Sequence, residues 1–178
     1  MITISKHYKA LCTQHHINRH DWGRSGIKWF GLVSILCEGN EIKTILDYGC
    51  GKAVLSAALT KKYKITKYEP AIPKLEKKPD GKFDMVLCTD VLEHVEEIYI
   101  DNILKELQQY IKVMGFFTIC LGHAKKHLLP DGSPVHILVK PKVWWREKLD
   151  KYFTYTEIYG RGCNEREMVL LIEVKDEK

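Results

Sequence analysis

The turn Gly49-Cys50-Gly51 is the segment of this sequence best suited to ligand chemistry. Glycines at the end of a strand let a ligand approach the backbone, and a helix that begins there presents free N–H groups. A dinucleotide site needs a third glycine in register, but Lys52 and Ala53 follow here. Asp47 would repel a pyrophosphate, whereas its charge suits the ammonium of an amino-acid moiety. The turn therefore indicates a ligand that carries an amino acid and argues against a dinucleotide-dependent dehydrogenase.

A second acidic residue, Glu69, lies 18 residues beyond Gly51 at the end of another strand-like run. A carboxylate at this position can accept hydrogen bonds from both hydroxyls of a ribose. Asp47, the glycine turn and Glu69 together point to a nucleoside that bears an amino acid. We therefore predict S-adenosylmethionine as the ligand.

Histidines near this turn are the candidate catalytic groups. Methyl transfer from a sulfonium is an in-line displacement, and positioning and exclusion of water can supply most of its catalysis. An oxygen or nitrogen acceptor can also need a base, for which histidine has a suitable pKa. The predicted catalytic residues are His94, His123 and His136, with Glu93 and His20 as further candidates. The predicted acceptor contacts are Trp22, Asp131 and His136.

Each of these side chains also has a purely structural interpretation. Glu93 and His94 can cap the helix that follows them, and histidines in a polar loop can simply be solvated. Cys12, His15, His16 and His20 form a further group of potential ligands, but their spacing matches no standard zinc pattern. We therefore predict an exposed helix surface at that group and assign no metal ligands; a divalent metal elsewhere in the chain is an alternative that we do not favour.

An alternation of strand and helix patterns must position these residues. Parallel strands are predicted at 44–48, 64–69, 83–89 and 116–121, with helices at 52–63 and 97–112. The continuous apolar character of 83–89 is typical of a strand that is covered on both faces. Two last strands, 154–159 and 167–174, are predicted to form a hairpin through 160–162. The pattern therefore predicts the α/β class, with a mostly parallel sheet, helices on both faces and a C-terminal antiparallel hairpin.

The segments outside this core are predicted to cover it. Residues 1–40 look helical and stop at Gly39-Asn40, although the polar, glycine-punctuated stretch 15–26 suggests a loop or lid. A long polar loop, 122–140, precedes a helix that begins after Pro141. Because this loop follows a strand at the ligand edge, we expect it to form the acceptor region.

Composition excludes several classes of protein. The chain has 45% hydrophobic and 29% charged residues, which is typical of a globular domain. No apolar run approaches the roughly 18 residues of a membrane span, and the first ten residues are charged where a signal peptide is apolar. We expect a cytoplasmic protein without a membrane partner, whose six cysteines, none in a CxxC pair, are reduced and structural. The net charge of +5 permits nucleic acid as a partner, but the lysines are scattered rather than clustered.

Three motifs resemble those of class I S-adenosylmethionine-dependent methyltransferases. Residues 45–53 look like their first motif, with Ala53 in place of the usual third glycine, and Tyr68-Glu69-Pro70 resembles the second. Residues 83–95, FDMVLCTDVLEHV, resemble their fourth strand and the turn after it, and are the most specific of the three. The resemblance covers about 42–121 and implies a Rossmann-like methyltransferase fold that binds S-adenosylmethionine.

The resemblance also implies roles for individual residues. Gly49, Cys50 and Gly51 would line the methionine part of the cofactor, and Asp47 would hold its amino group. Glu69, followed by Pro70, would bind the ribose. Thr89 and Asp90 would flank the amino acid and the sulfonium.

One departure from the family pattern concerns the adenine pocket. Only 13 residues, 70–82, separate Glu69 from the next predicted strand. The family normally places a helix, a strand and an adenine-contacting acid there, so this chain is abbreviated after its second strand. Asp80 is a candidate substitute for the missing acid.

Two further resemblances concern the acceptor. Asp90-x-x-Glu93-His94 is similar to the turn of metal-assisted O-methyltransferases of ubiquinone biosynthesis and of small RNA. In those two groups of enzymes a divalent ion lies near the acceptor oxygens. The same turn is common in metal-independent methyltransferases, so we favour helix capping as the role of Glu93 and His94 here. The pattern LPDG…H…WW over 129–145 is similar to short virus- and phage-encoded methyltransferases and identifies no substrate.

Taken together, the sequence predicts one methyltransferase domain that methylates a small molecule or a hydroxyl group. Its parts would be a helical lid at 1–40, a cofactor-binding core at 42–121, and an acceptor loop, helix and hairpin at 122–178. The alternatives are a cofactor-binding protein without methyl transfer, either regulatory or cofactor-degrading, and an RNA or other nucleic-acid O-methyltransferase. Thr89-Asp90-Val91-Leu92 stands where enzymes acting on base amines often carry Asn/Asp-Pro-Pro-aromatic, which argues against a base-amine target.

Overall fold

A computed structural model describes residues 1–124, 127–159 and 166–174, and its centre is a six-stranded sheet in the order β2-β1-β3-β4-β6-β5. The strands are β1 Thr44–Tyr48, β2 Lys64–Tyr68, β3 Phe83–Thr89, β4 Ile111–Cys120, β5 Phe153–Glu157 and β6 Glu167–Val174. The helices are α1 Lys6–Asn18, α2 Phe30–Gly39, α3 Val54–Leu59, α4 Ile100–Tyr110 and α5 Lys142–Leu149. Short 3₁₀ turns occupy Ser25–Trp29, Leu92–His94 and Glu97–Tyr99.

The sheet is parallel on one side and antiparallel on the other. β2, β1, β3 and β4 are parallel neighbours, while β6 runs antiparallel to both β4 and β5. The predicted class and the C-terminal hairpin are therefore confirmed. Residues 69–82 form no strand, so β2 is an edge strand and the predicted abbreviation is also present.

Two cores lie on opposite faces of the sheet because the side chains of each strand alternate between the faces. On β3, Met85 and Leu87 pack with α2 and α3, while Val86 and Cys88 pack with α4 and α5. All four of these side chains have no solvent exposure. Helices therefore cover both faces, and the loops that follow β1, β2 and β3 converge at one edge of the sheet.

The junction between α4 and β4 differs from the prediction. The sequence predicts a helix through residue 112 and a strand from 116, but α4 ends at Tyr110 and β4 begins at Ile111. Ile111 continues the apolar stripe of the helix in sequence, yet its backbone is extended and it pairs with Phe83. Gly115 looks like a break but lies within the strand, where a β-carbon would be 3.0 Å from Ile172.

Two other helices were predicted with the wrong extent or surroundings. α3 covers only Val54–Leu59, whereas the sequence predicts a helix over 52–63. His15 and His16 belong to α1 rather than to a loop, and they are buried together with Cys12, so the predicted exposed surface is wrong there. The reason is tertiary, since α1 packs against residues that follow β2 and against the long loop.

The remaining differences are small. The fifth strand was predicted at 154–159 and is observed at Phe153–Glu157, while the hairpin connection 160–162 and Cys163 lie outside the described residues. No helix in the described part of the chain is both long and apolar enough to cross a membrane.

Candidate active site

The glycine turn joins β1 to α3 and has a backbone that most residues cannot adopt. Gly49 and Gly51 have φ values of 69° and 50°, in the left-handed region that favours glycine. The N–H groups of Gly49 and Cys50 both donate to the carbonyl of Tyr68, at 2.8 and 3.0 Å, which ties the turn to the end of β2. A β-carbon at Gly49 would lie 2.5 Å from a methyl group of Val91. The turn is thus shaped by backbone contacts and remains open to a ligand.

Asp47 lies beneath this turn as a buried carboxylate. It accepts a hydrogen bond from the hydroxyl of Ser56 on α3, and burial raises its pKa to about 6. With Gly49 and Thr89 it lines a small cavity of about 40 Å³ that the N-terminal residues Arg24 and Ser25 close from the other side.

Glu69 follows β2 and is held by two backbone groups. Its Oε2 accepts from the N–H of Gly51 at 3.2 Å, and its Oε1 accepts from the N–H of Ala71 at 3.0 Å. Burial raises the pKa of Glu69, and these two hydrogen bonds oppose the shift. Each oxygen keeps a second lone pair, so the carboxylate can still accept two further hydrogen bonds.

Asp90 follows β3 in a left-handed conformation, with φ of 54°. Its Oδ1 accepts from the hydroxyl of Thr118 at 2.8 Å, and its Oδ2 lies 3.5 Å from Nζ of Lys28. Burial acts to raise the pKa of Asp90, but Lys28 and the hydroxyls of Ser25 and Thr118 outweigh it and hold the pKa below its usual range. Asp90 is therefore an ionised carboxylate beside the turn.

A cavity of about 770 Å³ opens where β1, β2 and β3 end. The segment around Gly23 lies over the glycine turn, because the carbonyl of Gly23 accepts from the N–H of Lys52 at 2.9 Å. Nζ of Lys52 also donates to the carbonyl of His16 at 2.6 Å. The N-terminal part of the chain thereby forms one wall of the cavity.

His94 and His136 also line the cavity. Nδ1 of His94 donates to the carbonyl of Val135 at 2.7 Å, and Nδ1 of His136 donates to the carbonyl of Gly122 at 2.6 Å. The centroids of the two rings are 4.8 Å apart. Burial, together with the neighbouring His136, lowers the pKa of His94 to about 4, so His94 is neutral at pH 7.

Glu93 lies beside the two imidazoles and has no solvent exposure. Its Oε1 accepts from the N–H of Cys120 at 3.1 Å, while its Oε2 has no hydrogen-bond partner among the described residues. Burial raises the pKa of Glu93 well above its ordinary value. The favoured interpretation of Glu93 and His94 as helix caps is wrong, since the N-cap positions of the next 3₁₀ turn and of α4 are Glu96 and Tyr99, without side-chain capping bonds.

Most of the site residues predicted from the sequence converge on this cavity. Those that line it are Trp22, Gly49, Gly51, Glu69, Pro70, Asp90, His94, His123 and His136. Asp47, Cys50 and Thr89 line the small adjoining cavity instead. Asp131 is exposed and accepts from the N–H and hydroxyl of Ser133, outside both cavities, and neither His20 nor Asp80 reaches them.

Other lining residues have no motif that points to them. They include Tyr8, Cys12 and His16 of α1, together with Lys28 and Glu167, whose side chains pair at 2.5 Å. The polar character of residues 15–26 was the one available signal. The rest depends on how α1 and β6 pack against the sheet.

Comparisons with known proteins agree with this arrangement. A sequence family described as a methyltransferase domain matches residues 28–165, whereas no curated protein sequence matches the chain. The DhpI–SAH complex aligns with a TM-score of 0.70 and 11% identity, covering 97% of this chain and 100% of that one. A 1,6-didemethyltoxoflavin N1-methyltransferase from Burkholderia thailandensis, with 1,6-didemethyltoxoflavin and S-adenosylhomocysteine bound, aligns with a TM-score of 0.66 and 16% identity. The alignment covers 99% of this chain and 92% of that one. The N-methyltransferase NodS from Bradyrhizobium japonicum, in complex with S-adenosylhomocysteine, aligns with a TM-score of 0.51 and 12% identity. The alignment covers 76% of this chain and 79% of that one. At such identities, the structural likeness establishes a shared fold.

Proposed function

The chain belongs to the family of methyltransferase domains, and on that premise we propose that it transfers a methyl group from S-adenosylmethionine to a small-molecule acceptor. The observation that carries this proposal is a single cavity lined both by Gly49, Gly51 and Glu69 and by His94 and His136. A donor and a small acceptor can therefore meet inside one cavity. The structural relatives that hold S-adenosylhomocysteine, one of them with a small molecule, support the same interpretation.

The cofactor would lie along the carboxyl edge of the sheet. Its ribose hydroxyls would donate to the two free lone pairs of Glu69, and its ammonium would interact with Asp47, from the small cavity beneath the turn. Arg24, which lines both cavities, is suited to the carboxylate of the methionine part. The charges of the three side chains thus match those of an amino-acid nucleoside from end to end.

The adenine would occupy the part of the cavity beyond Glu69. Ile4 and Tyr8 of the N-terminal region and Ala71 after β2 line this space. We propose that these residues cover the base in place of the strand and acid that the family normally supplies. Asp80 is exposed and does not line the cavity, so it does not take that role.

The chemistry requires positioning and, for a hydroxyl or amine acceptor, removal of a proton. A lone pair on the acceptor attacks the methyl carbon, the carbon–sulfur bond breaks, and S-adenosylhomocysteine leaves as a neutral thioether. His94 donates its Nδ1 hydrogen to a backbone carbonyl, so its Nε2 carries a lone pair that can take the proton. His136 has the same arrangement. We propose one of these two imidazoles as the base, with His123 and Trp22 lining the acceptor side.

The parts of the chain would divide this work as the sequence predicts. Residues 1–40 would cover the cofactor, 42–121 would bind it, and 122–178 would supply the acceptor loop, helix and hairpin. His136 within the loop would then contact both the acceptor and its proton.

Calorimetry of S-adenosylmethionine and S-adenosylhomocysteine binding tests the cofactor assignment. We expect wild type to bind both and Glu69→Gln to bind at least tenfold more weakly, because lost hydrogen bonds to a charged group are worth about 1.5–3 kcal/mol. Glu38→Gln is the matched control, since Glu38 pairs with Lys62 at 2.7 Å on the exposed surface. Absence of binding by folded wild-type protein would contradict the proposal.

A panel of small hydroxyl and amine acceptors then tests transfer. Formation of S-adenosylhomocysteine together with a methylated product supports the proposed reaction. Cofactor breakdown without any methylated product would instead identify a cofactor-degrading protein, and methylation confined to RNA would identify a nucleic-acid O-methyltransferase.

A further inference from the structure

We propose that Glu93, His94 and His136 bind a divalent transition-metal ion at the acceptor end of the cavity. One ligand atom from each of the three residues lies within 4.8 Å of the other two. Two imidazole nitrogens and one carboxylate oxygen form a donor set that suits ions such as Zn²⁺, Fe²⁺, Co²⁺ and Mn²⁺ better than Ca²⁺ or Mg²⁺. The site lies outside the residues assigned above to the cofactor.

The hydrogen bonds of the two histidines prepare them as ligands. A backbone carbonyl can only accept, so Nδ1 must carry the hydrogen in the bond from His94 to Val135 and in the bond from His136 to Gly122. Nε2 of each ring then keeps its lone pair. Histidines that bind metals almost always donate their other ring nitrogen to a carbonyl or a carboxylate, which fixes the tautomer and the ring orientation.

Glu93 supplies the independent observation that a ligand belongs at this position. Its side chain is completely buried and its Oε2 has no hydrogen-bond partner in the part of the chain that the structure describes. No ion pair with Glu93 is present within 1–124, 127–159 and 166–174 either. A buried carboxylate oxygen without a partner is costly, and a cation bound between Glu93 and the two imidazoles would remove that cost.

The geometry requires a modest closure. Bonds of about 2.0–2.2 Å from metal to ligand put neighbouring ligand atoms roughly 3–3.5 Å apart, so the most widely separated pair must approach by about 1.5 Å. His136 can provide much of this movement, because it lies in the long loop and is half-exposed. Three protein ligands would leave coordination positions open toward the cavity.

Those open positions give the ion a role in the reaction, and this role rests on the proposed function. A metal-bound hydroxyl group loses its proton more readily than a free one, because the ion stabilises the oxyanion. The acceptor class that fits is therefore a small molecule with a hydroxyl group, which the ion would hold beside the methyl donor. In this arrangement the ion occupies the free lone pairs of His94 and His136 and replaces the imidazole base proposed above, so the proton would leave to solvent as the oxygen attacks the methyl carbon and the carbon–sulfur bond breaks.

Titration of chelator-treated protein with Co²⁺ tests the site directly, through the visible ligand-field absorption of bound Co²⁺ and through calorimetry with Zn²⁺. We expect one ion per chain. His136→Ala should weaken binding at least about tenfold, since even residues outside the coordination shell contribute 10–100-fold. Glu93→Gln should weaken it similarly, and His123→Ala, in the same loop but outside the cluster, should not.

The outcomes separate the metal site from the proposed function. Folded wild-type protein that binds no Co²⁺ or Zn²⁺, or binding that survives both His136→Ala and Glu93→Gln, overturns the metal site. If Glu93→Gln does not fold, His136→Ala decides alone, because its side chain is half-exposed. Calorimetry of S-adenosylhomocysteine on the same samples reports on the cofactor site, so metal binding without cofactor binding would sink only the methyl-transfer proposal.

Discussion

At the scale of single residues, Asp47 has opposite effects on ligand binding and on stability, because the buried charge that suits the ligand's ammonium destabilises the ligand-free domain. The carboxylate is completely buried with only the Ser56 hydroxyl as an observed side-chain donor, and burial raises its pKa to about 6. The folded protein therefore holds a proton on Asp47 more tightly than the unfolded chain does. Its contribution to stability is present at low pH and is lost as the pH rises from about 4 through about 6.

We expect Asp47→Asn to stabilise the ligand-free protein above pH 7, by about 2–3 kcal/mol at roughly 1.4 kcal/mol per unit of pKa. The amide keeps an acceptor for Ser56 and removes the buried charge. Urea unfolding at pH 5 and pH 8 measures this, and the gain should shrink toward pH 5. The same variant should bind S-adenosylmethionine more weakly at both pH values. An equal gain at the two pH values would show that ionisation of Asp47 is not its cause.

Ala53 is a second residue whose type does not suit its backbone conformation, since the usual motif has glycine at this position. The structure places it in the left-handed region, with φ of 54° and ψ of 33°. This conformation costs an alanine about 1–2 kcal/mol, while glycine adopts it freely. We expect Ala53→Gly to raise the free energy of unfolding by about 0.5–1 kcal/mol, after the greater entropy of the unfolded glycine chain is subtracted.

Ala57→Gly is the matched control for this prediction, because Ala57 is exposed within the same helix, α3. There the substitution should lower stability by about 1 kcal/mol. Urea unfolding of both variants measures the difference. Two losses of similar size would mean that Ala53 is not strained.

At the scale of elements, Asp84 holds three strands together where β1 and β3 begin. Its carboxylate accepts from the N–H groups of Lys43 and Thr44, at 3.1 and 2.9 Å, and from Nζ of Lys112 on β4 at 2.9 Å. Lys112 and the bonds from residues 43 and 44 hold the pKa of Asp84 below its usual range, although burial opposes them. The depressed pKa stabilises the fold above the ordinary aspartate range, and this stabilisation is lost as the pH falls through the folded-state pKa.

Asp84→Ala should therefore destabilise the domain by about 2 kcal/mol at pH 7, because it removes the shared acceptor of the partly buried hydrogen bonds from residues 43 and 44. Lys112→Met should cost less than about 1 kcal/mol, since the lysine side chain is 63% exposed and exposed ion pairs contribute little. Thermal or urea unfolding of the two variants provides the measurement. The loss caused by Asp84→Ala should diminish in acid, and a loss independent of pH would contradict the assigned cause.

The elements themselves were largely predictable, because strand and helix patterns of the core are local. β1 and β3 lie where their apolar runs predict them. The boundary at Ile111 was not predictable, since the same apolar residue can end a helical stripe or begin a strand, and pairing with Phe83 decides. The burial of His15 and His16 depends on contacts of α1 with remote segments, which no local pattern records.

At the scale of the whole molecule, the candidate site is assembled from regions far apart in the chain. The motifs at 47–51, 69 and 89–94 identified its cofactor side, because each follows a strand that ends at the same edge. Trp22 contacts the rings of His15, His16 and His94. Its place in the site was predicted only from the polar and aromatic residues around it in the sequence, because no motif contains it. The N-terminal wall exists only through contacts between distant segments, so its closeness to the glycine turn could not be read from the sequence.

This wall leads to a prediction about access to the site. A β-carbon at Gly51 would lie 2.7 Å from the carbonyl oxygen and 2.8 Å from the Cα atom of Gly23. Because backbone cannot yield as a flexible side chain can, we expect Gly51→Ala to push the segment around Gly23 off the turn. Limited trypsin digestion should then cut faster at Arg19 and Arg24, and affinity for S-adenosylhomocysteine should fall.

Gly81→Ala separates this effect from simple backbone strain. Gly81 also has a positive φ, of 80°, but a β-carbon there would meet nothing within 4 Å. Both variants should lose about 1–2 kcal/mol of stability from the left-handed conformation. Only Gly51→Ala should expose Arg19 and Arg24, because only its β-carbon meets the N-terminal wall. Equal cleavage of the two variants would mean that the wall opens through general loss of stability, and unchanged cleavage of Gly51→Ala would mean that Gly23 does not hold it closed.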